Sequence, residues 1–158
     1  MPLSPPSSLE SMHEDLLRLL LAVQRLPGKT GSYAEQVGKR LQNHMNREDE
    51  VALPLLGLVQ EAAGGHIGQR AATRATSLYA RMRRDYPRLS REQKELVRMS
   101  EQLKKFGLEE GHPTAIRFAD SLEQHCLEDD ELHFPTALLV GRIVSKPRTL
   151  PHARFRRN

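Results

Sequence analysis

The sequence predicts an all-α fold: an antiparallel up-down four-helix bundle with an extra helical segment between the second and third helices. Three observations predict it. Apolar residues recur every three or four positions along almost every long segment, strand-like alternation is scarce, and the four longest periodic segments are joined by short connections. A length of 158 residues suits one domain. The expected division is an arm over residues 1–8, the bundle over 9–144 and a basic tail over 145–158.

The first helix is expected after Pro5 and Pro6, with Ser7 as cap and Glu10 as its capping-box partner, ending near the stretch PGKTG. His13, Leu16, Leu20 and Val23 form one stripe of it, so the histidine points where the leucines point. The second helix is expected from about Ser32, with Tyr33, Val37, Leu41, His44, Glu48, Val51 and Leu55 on one face until Pro54 kinks or ends it. Residues 68–85 form the extra segment, closed by Pro87. The third long helix then runs from Ser90 to Glu110, with Gln93, Leu96, Ser100 and Leu103 in line and Gly111 as its stop. The last opens at His112 and Pro113 and carries Ala115, Ala119, Leu122, His125, Asp129 and Leu132 on one face.

An apolar share of 38% with 28% charge, and no long uncharged run, excludes a membrane-spanning chain. The N-terminus lacks a basic region followed by an apolar one, and the single cysteine, Cys126, cannot form an internal disulfide. A cytoplasmic protein with a buried thiol is the expectation. The charge is uneven: residues 66–91 carry seven arginines against one acid, and residues 136–158 carry six basic residues and no acid. The arginine-rich segment and the tail are therefore candidates for an acidic partner. A solvated helix face is the favoured reading, and nucleic acid the disfavoured one.

One frame is written twice. HMNREDEVALP begins at His44 and HCLEDDELHFP at His125; each has a carboxylate at the fourth residue after the histidine, Glu48 and Asp129, and a proline at the tenth, Pro54 and Pro135. A histidine one turn before a carboxylate sets a nitrogen and an oxygen on the same side of a helix, where a metal ion can take both. A carboxylate facing a core is costly to ionise, and a cation offsets that cost. Nitrogen and oxygen donors without thiolates suit iron, zinc or manganese, and two histidines with one carboxylate suit iron(II).

These residues resemble the hemerythrin-like family, the HHE cation-binding domain, whose pattern is a histidine, then HxxxE, then a histidine, then HxxxE on four helices. The matching residues are His13, then His44 and Glu48, then His125 and Asp129. LQNHMNREDEVALPLLG and LEQHCLEDDELHFPTALLVG are similar to the family's second and fourth helices, down to Gly57 and Gly141, and the resemblance covers about Leu9 to Val144. It implies one or two non-haem irons in the bundle core, bridged by the carboxylates, and a diatomic gas or peroxide as ligand. The family's third helix reads like EEHKAI, whereas REQKEL here puts Gln93 where a histidine belongs. Gln93 then ligates through its amide oxygen, holds a water, or completes a capping box with Ser90; the last, purely structural use ranks first. With Gln93, the ion served by the first two helices keeps both histidines and its neighbour keeps only His125.

His133, one turn beyond Asp129, reads as a packing or capping residue in preference to a replacement ligand. His66, His112 and His152 read as solvated, and Tyr33, Tyr79 and Tyr86 as packing residues. Asp49, Glu50, Asp130 and Glu131 face solvent or orient the ligand histidines from outside. Cys126 points about 100° away from His125 around the helix and is not a ligand. No nucleophile triad, phosphate loop or nucleotide fingerprint is present. A site that binds oxygen can store, sense or reduce it, so the ligand set does not define an enzyme. The competing expectation is a helical interaction module whose metal site has degenerated, with Gln93 as its support.

Overall fold

A computed structural model describes residues 5–145. Among them the chain is all-helical, with no strand. Residues 146–158 of the basic tail, His152 among them, and the first half of the N-terminal arm lie outside the described residues. The elements are α1 (Ser7–Gln24), α2 (Gly28–Val51), α3 (Leu53–Leu56), α4 (Val59–Gly64), α5 (Gln69–Glu110), α6 (Pro113–Glu128), a wide π turn (Asp129–His133) and α7 (Phe134–Val144). Helix α1 packs on α2 and α6, and α5 packs on the same two helices from the other side, while α7 and α3 lie against the N-terminal half of α5. None of the described helices is long and apolar enough to cross a membrane.

Several boundaries differ from the sequence expectation, each for a physical reason. No side-chain cap forms at the start of α1, where Pro6 rather than Ser7 takes the cap position. Helix α2 begins four residues before Ser32, at Gly28, because its cap comes from far away. The Glu110 carboxylate at the end of α5 accepts hydrogen bonds from Lys29 N (2.9 Å), Thr30 N (3.0 Å) and Thr30 Oγ1 (2.7 Å). Such a contact satisfies the free N–H groups of a first turn and complements the positive end of the helix dipole. Gly28 adopts φ +79°, and a Cβ there would meet the same carboxylate at 2.7 Å. These bonds hold the Glu110 carboxyl down at about 2.

The extra helical segment and the third long helix are one element: α5 runs 42 residues, with Pro87 inside it, about 63 Å at the ordinary rise per residue. Pro87 removes one hydrogen bond from the ladder but does not close the helix. Its ring is exposed, while Met82 and Leu89 on either side are buried in the same apolar cluster. Apolar packing holds both halves in register. Ser90 is consequently mid-helix and forms no capping box with Gln93. Gly111 does end α5, at φ +73°.

The last helix contains the π turn. Pro135 has no N–H with which to close an α turn onto Glu131, and the ladder widens across Asp129–His133. The extra residue shifts the buried face by one position. Phe134, Ala137 and Val140 are buried, whereas Leu132, expected on the core face, is 58% exposed.

Two apolar clusters fill the interior, and each long segment passes from one to the other at a polar residue. On α1 the change falls between Leu9 and Leu16, at His13; on α2 between Met45 and Val51, at Glu48; on α5 between Leu89 and Leu96, at Gln93. From α6 into α7 it falls between Cys126 and Phe134, at Asp129. A buried polar layer therefore separates two apolar ones.

Two outcomes test this account. The Glu110 carboxyl lies below its unfolded value, so its contribution is present above pH about 4.5 and is lost as pH falls toward about 2. Urea denaturation of Glu110→Gln between pH 2 and 6 is expected to show lower stability than the parent at pH 6, with the difference closing toward pH 2. Pro87→Ala restores a ladder donor on an exposed surface and is expected to stabilise the fold by about 1–3 kcal/mol, read from the same denaturation curves.

Candidate metal centre

The polar layer holds His13, His44, Glu48, Gln93, His125 and Asp129, all buried. Helical spacing puts them there: His44 and Glu48, like His125 and Asp129, are one turn apart on core-facing stripes. His44 Nε2 lies 3.1 Å from Glu48 Oε1, His13 Nε2 lies 3.4 Å from Glu48 Oε2, and His125 Nε2 lies 3.3 Å from Asp129 Oδ2 and 3.8 Å from Glu48 Oε2. The His13 and His125 rings meet edge to face, 5.1 Å between centroids. Glu48 is the common neighbour of all three histidines.

Burial sets the protonation states. It lowers the pKa of His13 and His44, and pushes His125 down to about 4, so all three imidazoles are neutral near pH 7. Burial, reinforced by the Asp129 charge, raises the Glu48 carboxyl well above the usual carboxylate range. Burial pushes Asp129 the same way, but the hydrogen bond from His133 Nδ1 (2.8 Å) and the neighbouring His125 outweigh it and leave Asp129 below its ordinary value. The two carboxyls are thus pushed apart, Glu48 upward and Asp129 downward.

Within the described residues, His44 Nε2, both Glu48 oxygens, both His125 nitrogens and Asp129 Oδ2 are buried without a hydrogen-bond partner. Six such atoms on four side chains of one layer are far from the ordinary satisfaction of buried polar groups. They fit a metal ion. Neutral imidazoles present lone pairs, and donors bound at about 2.1 Å in neighbouring positions around one ion lie about 3 Å apart, close to the shortest separations here. In two sets, one donor atom from each residue lies within 4.8 Å of the others: His13, Glu48 and His125, and His44, Glu48 and Asp129.

This grouping differs from the sequence expectation in one respect. His13 and His44 were expected to serve one ion, with His125 alone serving its neighbour. Instead His13 is grouped with His125 across α1 and α6, and Glu48 belongs to both sets. Gln93 lies in the layer, but its Nε2 donates to the Cys126 carbonyl (3.4 Å) and its Oε1 is buried without a partner. Cys126 is buried, and its thiol is pushed up by burial.

Of the acids read as outer partners, Asp49 lies 3.6 Å from His13 Nδ1. Glu50 pairs with Arg81, Asp130 is half-buried and Glu131 is exposed. The residue missed is Glu92, which accepts from His44 Nδ1 at 3.3 Å. It sits beside Gln93 on α5, and no helical spacing within one segment relates it to His44. His133, read as a packing or capping residue, is the hydrogen-bond donor to Asp129. The arginine stripe is partly neutralised by Arg81–Glu50, Arg84–Asp85 and Arg88–Glu92. Tyr33 and Tyr86 pack on Phe106 and Phe134, as expected of packing residues.

Comparison with family models, with curated proteins and with solved structures gives no match. The fold and the site define a class by themselves: an all-helical chain with a buried cluster of histidines and carboxylates able to hold a metal ion.

Because the folded-state pKa of Glu48 is raised, its contribution to stability is greatest below pH about 4.5 and is lost as pH rises through the folded value. Glu48→Gln removes that loss. Thermal melts of chelator-treated protein are expected to show a higher Tm for the variant at pH 8 than for the parent, with the gap narrowing toward pH 5.

Proposed function

We propose that this chain is a hemerythrin-like, non-haem iron protein that binds or senses oxygen, nitric oxide or peroxide at a mono- or di-iron centre in its interior. The observation that carries the reading is the layer of unpartnered histidine and carboxylate atoms shared around Glu48. The contacts of α1, α2, α5 and α6 around that layer support an up-down four-helix bundle. The donor chemistry favours iron: His13 and His125 with Glu48 make a two-histidine, one-carboxylate set of the kind iron(II) takes with positions left open, and zinc and manganese are the competing ions. The bound ion would supply an open coordination position for a small ligand and, if iron, a redox-active one. The protein's own part is to keep the imidazoles neutral, to hold both carboxyls away from bulk water, and to shield the layer with the two apolar clusters. A reducing, cytoplasmic setting agrees with a lone buried cysteine.

The alternative is an interaction module with a degenerate site. Gln93 favours it, since its amide nitrogen is engaged by the Cys126 carbonyl. Metal analysis of protein purified without chelator, with near-ultraviolet and visible spectra recorded in air and under nitric oxide, separates the two. Bound iron with ligand-dependent bands supports the centre; a folded chain free of metal supports the module.

His44→Ala is expected to remove metal and lower Tm together, because a ligand at a hundredfold excess over its Kd stabilises by about 2.7 kcal/mol. His66→Ala, on an exposed residue, is the control expected to change neither. Gln93→His adds a nitrogen donor in the same layer and is expected to raise the iron bound per chain, or to slow release of the weaker ion to a chelator. An unchanged metal content in His44→Ala would remove that residue from the site.

A further inference from the structure

Glu92 stands outside the donor sets but is not an ordinary surface acid. It lies on α5 with its side chain 23% exposed, and its two oxygens have separate tasks. Oε1 accepts from Arg47 Nη2 on α2 and from Arg88 Nε one turn earlier on α5, both at 3.0 Å. Oε2 faces His44 Nδ1 at 3.3 Å. With one oxygen tied by two guanidinium groups, the carboxylate cannot turn away from the imidazole without losing charge-assisted bonds.

The consequence concerns the tautomer of His44. An imidazole that donates its Nδ1 proton carries its lone pair on Nε2, and Nε2 is the buried atom 3.1 Å from Glu48. The other two histidines are held less firmly. His13 Nδ1 has Asp49 at 3.6 Å, through a carboxylate that is 58% exposed, and His125 Nδ1 has no hydrogen-bond partner among the described residues.

We propose that Glu92 is a positioning residue for the metal centre: held by Arg47 and Arg88, it fixes His44 in the Nδ1–H tautomer and aims Nε2 at the ion bound with Glu48 and Asp129. The inference rests on the iron-centre reading above. It makes the two donor sets unequal, since only the His44 set has a histidine oriented by a clamped carboxylate. Outer partners of this kind govern how firmly a metal is held.

The test uses the full chain and cobalt(II) alone as probe, with iron(II) in parallel. Affinity, the visible absorption of bound cobalt and the rate of release to a chelator are measured for the parent, Glu92→Ala, Glu92→Gln and Arg88→Ala, with thermal melts of each metal-free protein. Glu92→Ala is expected to weaken binding at the His44 position about 10–100-fold and to alter the cobalt spectrum. Glu92→Gln keeps an acceptor oxygen and is expected to recover most of the loss, and Arg88→Ala, with Arg47 still in place, is expected to lose less than Glu92→Ala. A parent that binds cobalt while Glu92→Ala matches it in affinity and spectrum overturns the role of Glu92 and leaves the centre intact. Equal losses in Glu92→Ala and Glu92→Gln, in step with falling metal-free Tm, overturn it in favour of a structural tie between α2 and α5. A parent that binds neither ion overturns the centre itself.

Discussion

Everything in this fold is arranged around the burial of two carboxyl groups against each other. Glu48 and Asp129 are 0% and 3% exposed, on α2 and on the π turn that follows α6. Two ionised carboxylates cannot share a dry interior without compensation, and their separation in pKa expresses that conflict. Three neutral imidazoles close around the pair, offering lone pairs where a typical core would offer hydrogen-bond donors. A cation would resolve the conflict in one step, because it would neutralise the acids and accept the lone pairs together.

The apolar clusters on either side make that arrangement affordable. Each supplies close packing on one flank of the polar layer, so the layer remains thin and its donors have little freedom to turn outward. The π turn belongs to the same design. Directly after Asp129 it shifts the helix by one residue, which buries Phe134 beneath the layer and leaves His133 within 2.8 Å of Asp129. Such turns concentrate where a helix carries function, since the widened ladder re-aims side chains that an unbroken α-helix would place elsewhere.

The outer partners follow different rules on different helices. His44 has a carboxylate reaching from α5, His13 one from α2, and Asp129 a histidine from its own turn. Only His125 lacks a partner at its second nitrogen among the described residues. The layer is thus asymmetric in its surroundings although the repeated HxxxE/D frame is symmetric in sequence.

The sequence by itself determined what is periodic. Stripes of apolar residues at three and four positions imply helices, and a histidine four residues before a carboxylate stays one turn away in any helix that contains both. That is why the all-helical class, the inward placement of His13, His44, Glu48, Gln93, His125 and Asp129, and the stop at Gly111 could be read directly. Tertiary structure decided what depends on contacts between distant segments. The early start of α2 needs Glu110, 80 residues on. The continuity of α5 through Pro87 needs apolar neighbours on both sides, and the grouping of His13 with His125 needs α1 to lie against α6. Glu92 reaches His44 only because α2 and α5 pack together. Local periodicity fixes which face a residue occupies. Which residues meet across that face is set by how the helices pack.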